Sequence, residues 1–254
     1  MTDLALRPRS STELVDASFQ VFRRTPVQFI VAAALVYVPW LVIQLVFDLE
    51  IQSDQLPDLD VLGINLLAGV VVYVILGGVI ALLARDAYFD QPPDVARAFR
   101  TVGARIFPLL GVSLVVLVTT SIALIFLILP ALYPLSRFFC ARQAVVLERA
   151  GVGTALSRSS TLSSGLKGHV LSTLLLAGLV TFAILLGTTL VGGLIPSRVV
   201  VRTLLTIVTV CVKPFFSIAE TLLYYDARIR KEALDIEYMA GAEAALTSAP
   251  SAAV

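Results

Sequence analysis

The chain has 254 residues, of which 58% are hydrophobic and 15% charged, with a net charge of +1 and a mean hydropathy of +0.92. Soluble domains carry about 45–50% apolar and about 25% charged residues, so an excess of this size marks surface that meets lipid, not a larger core. The near-zero net charge excludes a global electrostatic drive toward nucleic acid. Cys140 and Cys211, each inside an apolar run, read as small packing residues, not as a disulfide or metal clamp.

The opening MTDLALRPRSSTELVDASFQ has no apolar stretch ahead of a small-residue cleavage site and does not read as a signal peptide. Ser10 and Glu13 have capping-box spacing. Val15, Phe19 and Phe22 recur at i, i+4 and i+7, with Asp16, Gln20 and Arg23 on another face, which predicts an amphipathic helix at the membrane interface. Crossing a hydrocarbon core of about 30 Å takes roughly 20 apolar residues of helix. Span one is predicted at 26–47, and the loop 48–60, DLEIQSDQLPDLD, holds five carboxylates and no Lys or Arg. Span two, 62–84, carries Gly69, Gly77 and Gly78, small residues that let helices approach closely. Pro92-Pro93-Asp94 suits the first turn of a second interfacial helix, in which Val95, Phe99 and Val102 repeat the earlier spacing. Span three follows at 106–127 and span four, the most polar, at 130–147. A third interfacial segment starts at Val152, its stripe interrupted by Ser159 and Ser160, and leads to span five at 170–194. Span six, 199–223, runs into LLYYDARIRKEALD.

That last stretch puts Tyr224 and Tyr225 at the level of an aromatic belt. Beyond them Asp226 and Arg230, and Arg228 and Glu232, are spaced i,i+4; such pairs add about 0.2–0.5 kcal/mol each. The reading is a solvated helical continuation that holds Arg228, Arg230 and Lys231 near the lipid surface. Residues 1–240 form a single integral membrane domain, and 241–254 read as a disordered tail. The expected fold is an all-α polytopic bundle of about six transmembrane helices with three interfacial helices. The repeating unit is an interfacial helix followed by two spans; internal duplication and a shared physical job both account for it. Arg7, Arg9, Arg23 and Arg24, then Arg85, Arg97, Arg100 and Arg105, then Arg149, Arg158 and Lys167 fall on one side. The positive-inside rule therefore predicts a multi-pass cell (inner) membrane protein with both termini in the cytoplasm, Arg198 and Arg202 being the exceptions.

Three stretches, LRPRSSTELVDASFQVFRR, AVVLERAGVGTALSRSSTLSSG and LLYYDARIRKEALDIEYM, resemble the membrane domain of glycerophosphoryl diester phosphodiesterases and its stand-alone relatives. The resemblance spans nearly the whole chain, and its last motif is the most specific. The serine run 159–164 departs from it, standing where an aromatic or longer basic residue is common. The resemblance implies a bundle of about six helices and no chemistry of its own. The family's catalysis belongs to a separate soluble domain with its own histidines, carboxylates and metal, and this chain has one histidine.

An ionisable group at the centre of a membrane helix costs about 2.5–3.5 kcal/mol on insertion scales, so those that stand there need a reason. Lys213 lies 11 residues past Arg202 and 13 before Asp226, near the midplane, with Pro214 next to it. Glu220 is seven residues further on the same face, and Arg137 sits inside span four with Arg142 nearer the cytoplasm. Three readings stay open. Lys213, Arg137 and Glu220 hold an anionic group such as a lipid phosphate; or Glu220 pairs with Arg137 or Arg142 and ties the bundle; or the long cations snorkel to an interface. His169 has no serine, cysteine or carboxylate placed by spacing to form a triad or metal site. No catalytic residue, cofactor or metal is expected, and no P-loop, dinucleotide fingerprint or Cys/His metal spacing is present. The sequence thus points to a non-enzymatic protein that binds or organises membrane lipids, or scaffolds a membrane protein partner. The alternative is a transporter, or its membrane subunit, with a midplane polar site.

Overall fold

Apolar runs in lipid must close their backbone hydrogen bonds within each segment, and helix does so. The computed structural model describes residues 7–46 and 59–233, and within them all regular structure is helical. In chain order the helices are α1 (Ser11–Arg24), α2 (Pro26–Val46), α3 (Leu59–Tyr88), α4 (Val95–Ala104), α5 (Ile106–Phe126), α6 (Ile128–Arg137), α7 (Ala141–Leu147), α8 (Val152–Ser163), α9 (Lys167–Gly192) and α10 (Arg198–Glu232). Five of them, α2, α3, α5, α9 and α10, are long and apolar enough to cross a membrane. The chain is an all-α, multi-pass membrane protein. The acidic stretch 48–58 and the tail from 241 lie outside the described residues.

The fourth expected span is not one helix. The chain leaves α6 at Arg137, turns through 138–140 and resumes as α7. At 1.5 Å per residue these two pieces are only about 15 and 10 Å long. Pro134 inside α6 removes a backbone donor as well. A helix end inside a bundle leaves orphan carbonyls that lipid cannot satisfy. Here α8 satisfies the last of them, the Arg137 carbonyl: Ser159 Oγ donates to it at 3.0 Å, and Ser163 Oγ, shared with the Ser160 carbonyl, lies 3.3 Å from it. Across the turn the Cys140 N–H donates to Ser159 Oγ at 3.2 Å. Of the two serines that interrupt the apolar stripe of α8, Ser159 is therefore a buried partner of a broken crossing, which its polarity alone does not announce.

Large apolar side chains point outward, as lipid permits. On α9 Leu175, Leu179, Phe182, Leu186 and Leu190 are exposed, while Val170, Thr173, Ala177 and Thr181 are buried. On α2 Val27, Val31, Leu35, Val38 and Val42 are exposed at helical spacing, and Phe29, Ala32 and Ala33 are buried. Small residues bring membrane helices together where no hydrophobic effect can. Gly78 of α3 is such a place: a Cβ there would stand 3.0 Å from Val102 of α4 and 3.4 Å from Val146 of α7.

The amphipathic helices dock on the bundle. The capping box of α1 is present, Ser10 N donating to Glu13 Oε2 at 2.8 Å and Glu13 N to Ser10 Oγ at 3.3 Å. The inner face of α1 is Leu14, Val15, Ala17, Ser18 and Val21, packed on α9 and α10. Of the expected stripe, Val15 is buried, whereas Phe19 covers an edge, 42% exposed and stacked on Phe215 at 4.1 Å between ring centroids. Phe22 stacks on Phe29 at 5.9 Å. In α4, Ala98 and Val102 are buried and Phe99 packs against the same core.

Carboxylates fasten these helices. Asp86, near the end of α3, meets Arg85 at 2.8 Å and Arg97 of α4. Glu148, at the end of α7, meets Arg158 of α8 at 3.0 Å. Asp226, near the end of α10, accepts the Arg9 N–H at the mouth of α1 at 2.7 Å. The last crossing of each unit thus holds the interfacial helix of the next, and α10 closes the ring onto α1.

The C-terminal stretch of α10 corrects two expectations. Tyr224 and Tyr225 are buried, 0% and 5% exposed, and form no outward belt. Tyr224 Oη donates to Glu148 Oε1 at 2.6 Å, and Tyr225 stacks on Tyr88 at 5.8 Å. Nor is the continuation solvated on all sides. The i,i+4 pairs form, Arg230 to Asp226 at 2.7 Å and Arg228 to Glu232 at 2.9 Å, but around an Asp226 that is 2% exposed. Arg230 also donates to the Arg9 carbonyl at 2.6 Å. The stretch is a docking post for α1, α8 and α9, so its rings and the Asp226 carboxylate turn inward while Arg230 and Lys231 stay exposed. Cys140 is buried and packs on Ser159, but Cys211 is exposed on the outside of α10, so only the first is a packing residue.

Two outcomes follow from this architecture. Ser159→Val strips the Cys140 N–H of its partner and the Arg137 carbonyl of one donor, and should cost about 1–3 kcal/mol, seen as a lower thermal midpoint in mild detergent. Thr119→Val, whose hydroxyl bonds only to Val115 and Val116 carbonyls of its own helix, should shift stability by no more than about 0.5 kcal/mol. The Ser10 backbone N–H, and then Arg7, hold the Glu13 carboxyl down from 4.5 to about 2. A depressed carboxylate supports the fold above its unfolded value and loses that support as pH falls through the folded one. Hydrogen exchange in the first turn of α1 should therefore accelerate as pH drops from 4.5 toward 2, after correction for intrinsic exchange, and Glu13→Gln should abolish that dependence.

Candidate functional site

Glu220 lies on α10 where a lone carboxylate would be untenable, and a partner comes from the broken crossing. Because the chain restarts at Ala141, α7 sends the Arg142 side chain into the bundle. Its Nη2 lies 2.6 Å from Glu220 Oε2 and 2.8 Å from Tyr73 Oη, and its guanidinium carbon stands 3.9 Å from the centroid of the Tyr73 ring. Tyr73 Oη donates to Glu220 Oε1 at 3.4 Å, and Arg142 Nη1 donates to the Tyr73 carbonyl at 3.4 Å. Tyr73 stands 15 residues before Tyr88 at the end of α3, about 22 Å along the helix axis. Gly77, one turn on, leaves room for the guanidinium, because a Cβ there would meet Arg142 Nη1 at 2.5 Å. Of the two cations offered by the sequence for Glu220, Arg142 is the one it meets.

This triad forms the polar floor of a cavity of about 630 Å³ between α5 and α6 on one side and α9 on the other. The walls are apolar. Leu117, Leu135, Leu175, Leu179 and Phe182 line the cavity and are also exposed on the flank of the bundle, so it opens toward lipid. Two hydroxyls on its α5 wall, Ser113 Oγ and Thr120 Oγ1, are buried without a hydrogen-bond partner among the described residues. Buried polar atoms are nearly always paired.

Lys213 makes no hydrogen bond to this floor, though it lies near enough to Glu220 for their charges to interact. It lines a second cavity of about 220 Å³, divided from the first by residues that face both, Tyr73, Gly178, Phe182 and Phe216. Its Nζ makes no hydrogen bond or close ion pair among the described residues. Arg137 is elsewhere again, at the end of α6, with Nε donating to Ser160 Oγ at 3.1 Å and Nη1 to Tyr133 Oη at 3.4 Å. The structure therefore joins Glu220 with Arg142 and Tyr73, sets Lys213 behind a partition, and separates Arg137 from both.

Sequence reading missed one convergence altogether. His169 Nε2 is 2.9 Å from Asp226 Oδ2, and its Nδ1 is 3.3 Å from Ser11 Oγ. These are the residue types of a nucleophilic triad, drawn from α1, α9 and α10, and no spacing in the sequence signals them. The surroundings are those of a clamp. Asp226 already receives the Arg9 N–H and Arg230, and Ser11 Oγ lies 2.6 Å from Ser172 Oγ. The gap beside Asp226, bounded by Arg7, Leu14, Tyr88 and Leu222, is too narrow for a water molecule and does not reach Ser11 or His169. Among the described residues no three His, Cys, Asp or Glu side chains are grouped to hold a metal. No family model, curated protein or solved structure matches the chain.

The buried pair makes a measurable claim. Arg142→Met or Glu220→Met alone leaves its partner charged in a dry site and should cost about 3–5 kcal/mol. The double variant should lose less than the sum, with a coupling of about 0.5–3 kcal/mol. Unfolding titrations of all four proteins in one detergent–lipid mixture would measure it.

Proposed function

We propose that the chain is a non-enzymatic protein of the cell (inner) membrane that binds an anionic membrane lipid, with its apolar chains in the side-opening cavity. The observation that carries this reading is the cavity itself. At about 630 Å³ it falls in the size range of small-molecule sites, about 300–1,000 Å³, and it has their character of apolar walls with few placed polar groups. Its mouth lies among lipid-facing leucines, so the ligand that reaches it without leaving the bilayer is a lipid. The orphan hydroxyls of Ser113 and Thr120 are available to an ester or headgroup oxygen. Arginines and lysines concentrated at the end where α1 and α9 begin and α10 ends favour an anion and, by the positive-inside rule, a cytoplasmic location for both termini. The resemblance to the membrane domain of glycerophosphoryl diester phosphodiesterases agrees with a membrane role that needs no chemistry in this chain.

A second reading, transport, is favoured by Lys213. A cation without a close partner, facing a cavity at mid-membrane beside Pro214, is expensive unless it serves a path. In that reading Phe182 and Phe216 swing aside and join the two cavities.

Filling the first cavity tests the lipid reading. A Cβ at Gly178 would meet Phe216 at 3.8 Å, an ordinary contact, so Gly178→Leu should fold. Native mass spectrometry of protein extracted in mild detergent should find lipid on the wild type and at least about tenfold less on Gly178→Leu, since an occluded pocket loses more than about 1.4 kcal/mol of binding. Equal lipid on both would remove the cavity as its site. Lys213→Gln in proteoliposomes separates the readings: lipid retention should be unchanged, and a flux abolished by the variant would favour transport.

A further inference from the structure

We propose that a third, polar cavity between α6 and the α8–α9 turn binds a phosphate group, and that it takes the headgroup of the lipid whose chains occupy the apolar cavity. The inference rests on the lipid reading for its ligand but stands on separate residues. This cavity, about 420 Å³, is bounded by Tyr133, Arg137, Ser160, Ser164 and Lys167. Two cations converge on one ring there: Arg137 Nη1 is 3.4 Å from Tyr133 Oη, and Lys167 Nζ is 4.2 Å from the ring centroid. Neither has a carboxylate partner among the described residues, whereas Arg85, Arg97, Arg142, Arg158, Arg228 and Arg230 each meet one. A third cation stands near, since a Cβ on Gly165, which also lines the cavity, would be 3.8 Å from Lys231 Nζ. Like charges brought together around a cavity repel one another unless an anion joins them.

The remaining groups suit phosphate oxygens. Arg137 spends Nε on Ser160 and Nη1 on Tyr133, which leaves Nη2 to donate. The hydroxyls of Ser160 and Ser164 stand at the same wall. The first backbone bond into α9 is Val170 N to Leu166 O, so the amides of Lys167, Gly168 and His169 are the helix's unpaired N-terminal donors, and Lys167 and Gly168 line the cavity.

Placement ties the two cavities together. α6 and α9 line both: Tyr133 and Arg137 face the polar one while Leu132 and Leu135 face the apolar one, and Lys167 and Gly168 give way one turn later to Leu171. From Gly168 to Phe182 the α9 wall runs about 21 Å, more than one leaflet of a hydrocarbon core about 30 Å thick. An amphiphile with a phosphate at the basic end and acyl chains along α9 matches both chemistry and length.

The test compares phosphatidylglycerol, diacylglycerol and inorganic phosphate as probes on wild type, Arg137→Gln/Lys167→Gln and Arg137→Lys, by native mass spectrometry and by lipid exchange in nanodiscs of phosphatidylcholine. The expected result is phosphatidylglycerol bound at least tenfold more tightly than diacylglycerol by wild type, with that preference lost in the double glutamine variant and kept in Arg137→Lys. Diacylglycerol should bind all three alike. If phosphatidylglycerol and diacylglycerol bind wild type equally, the headgroup site is overturned while the apolar cavity stands. If neither lipid binds but inorganic phosphate does, and only with Arg137 and Lys167 intact, the phosphate site holds for a free anion and the lipid reading fails. Binding of phosphatidylglycerol and phosphate unaffected by the double variant, or absent from wild type, overturns the proposal.

Discussion

Asp226, 2% exposed, receives the backbone N–H of Arg9, the guanidinium of Arg230 and the imidazole of His169, and in doing so gathers the starts of α1 and α9 at the end of α10. A carboxylate in such a place is tolerated only with several donors around it. Asp86 and Glu148 do corresponding work for α4 and α8. The amphipathic helices are thus pinned by polar contacts at one end of the bundle, where they meet elements that apolar packing between lipid-exposed helices would not select.

The same economy governs the broken crossing. A turn at 138–140 exposes backbone groups that have no solvent in a bilayer, so its existence depends on Ser159 and Ser163 reaching across from α8. What the break yields is position. It lets α7 turn Arg142 toward Tyr73 and Glu220, and it ends α6 with Arg137 beside the start of α9. Residues of α6 line both the apolar and the polar cavity.

The sequence by itself determined the class of solvent, the helical class and most of the long helices, because hydropathy and the need to close backbone hydrogen bonds are local properties that a single segment reveals. Ser10 to Glu13 and the i,i+4 pairs of α10 were legible for the same reason. What only the tertiary structure decided was direction. Whether Tyr224 and Tyr225 look out to an interface or in to Glu148 and Tyr88, whether Glu220 takes Arg137 or Arg142, and whether Ser159 is an interruption or a cap all depend on which helix stands alongside. Residues 11, 169 and 226 meet across the whole chain, and Arg137 and Lys167 meet over a turn whose shape no periodicity encodes. Inside a bilayer every helix face is apolar enough to be either surface or core. The hydrophobic pattern that orients helices in water is therefore weak here, and small residues and scattered polar partners, paired only once the bundle has formed, set the arrangement.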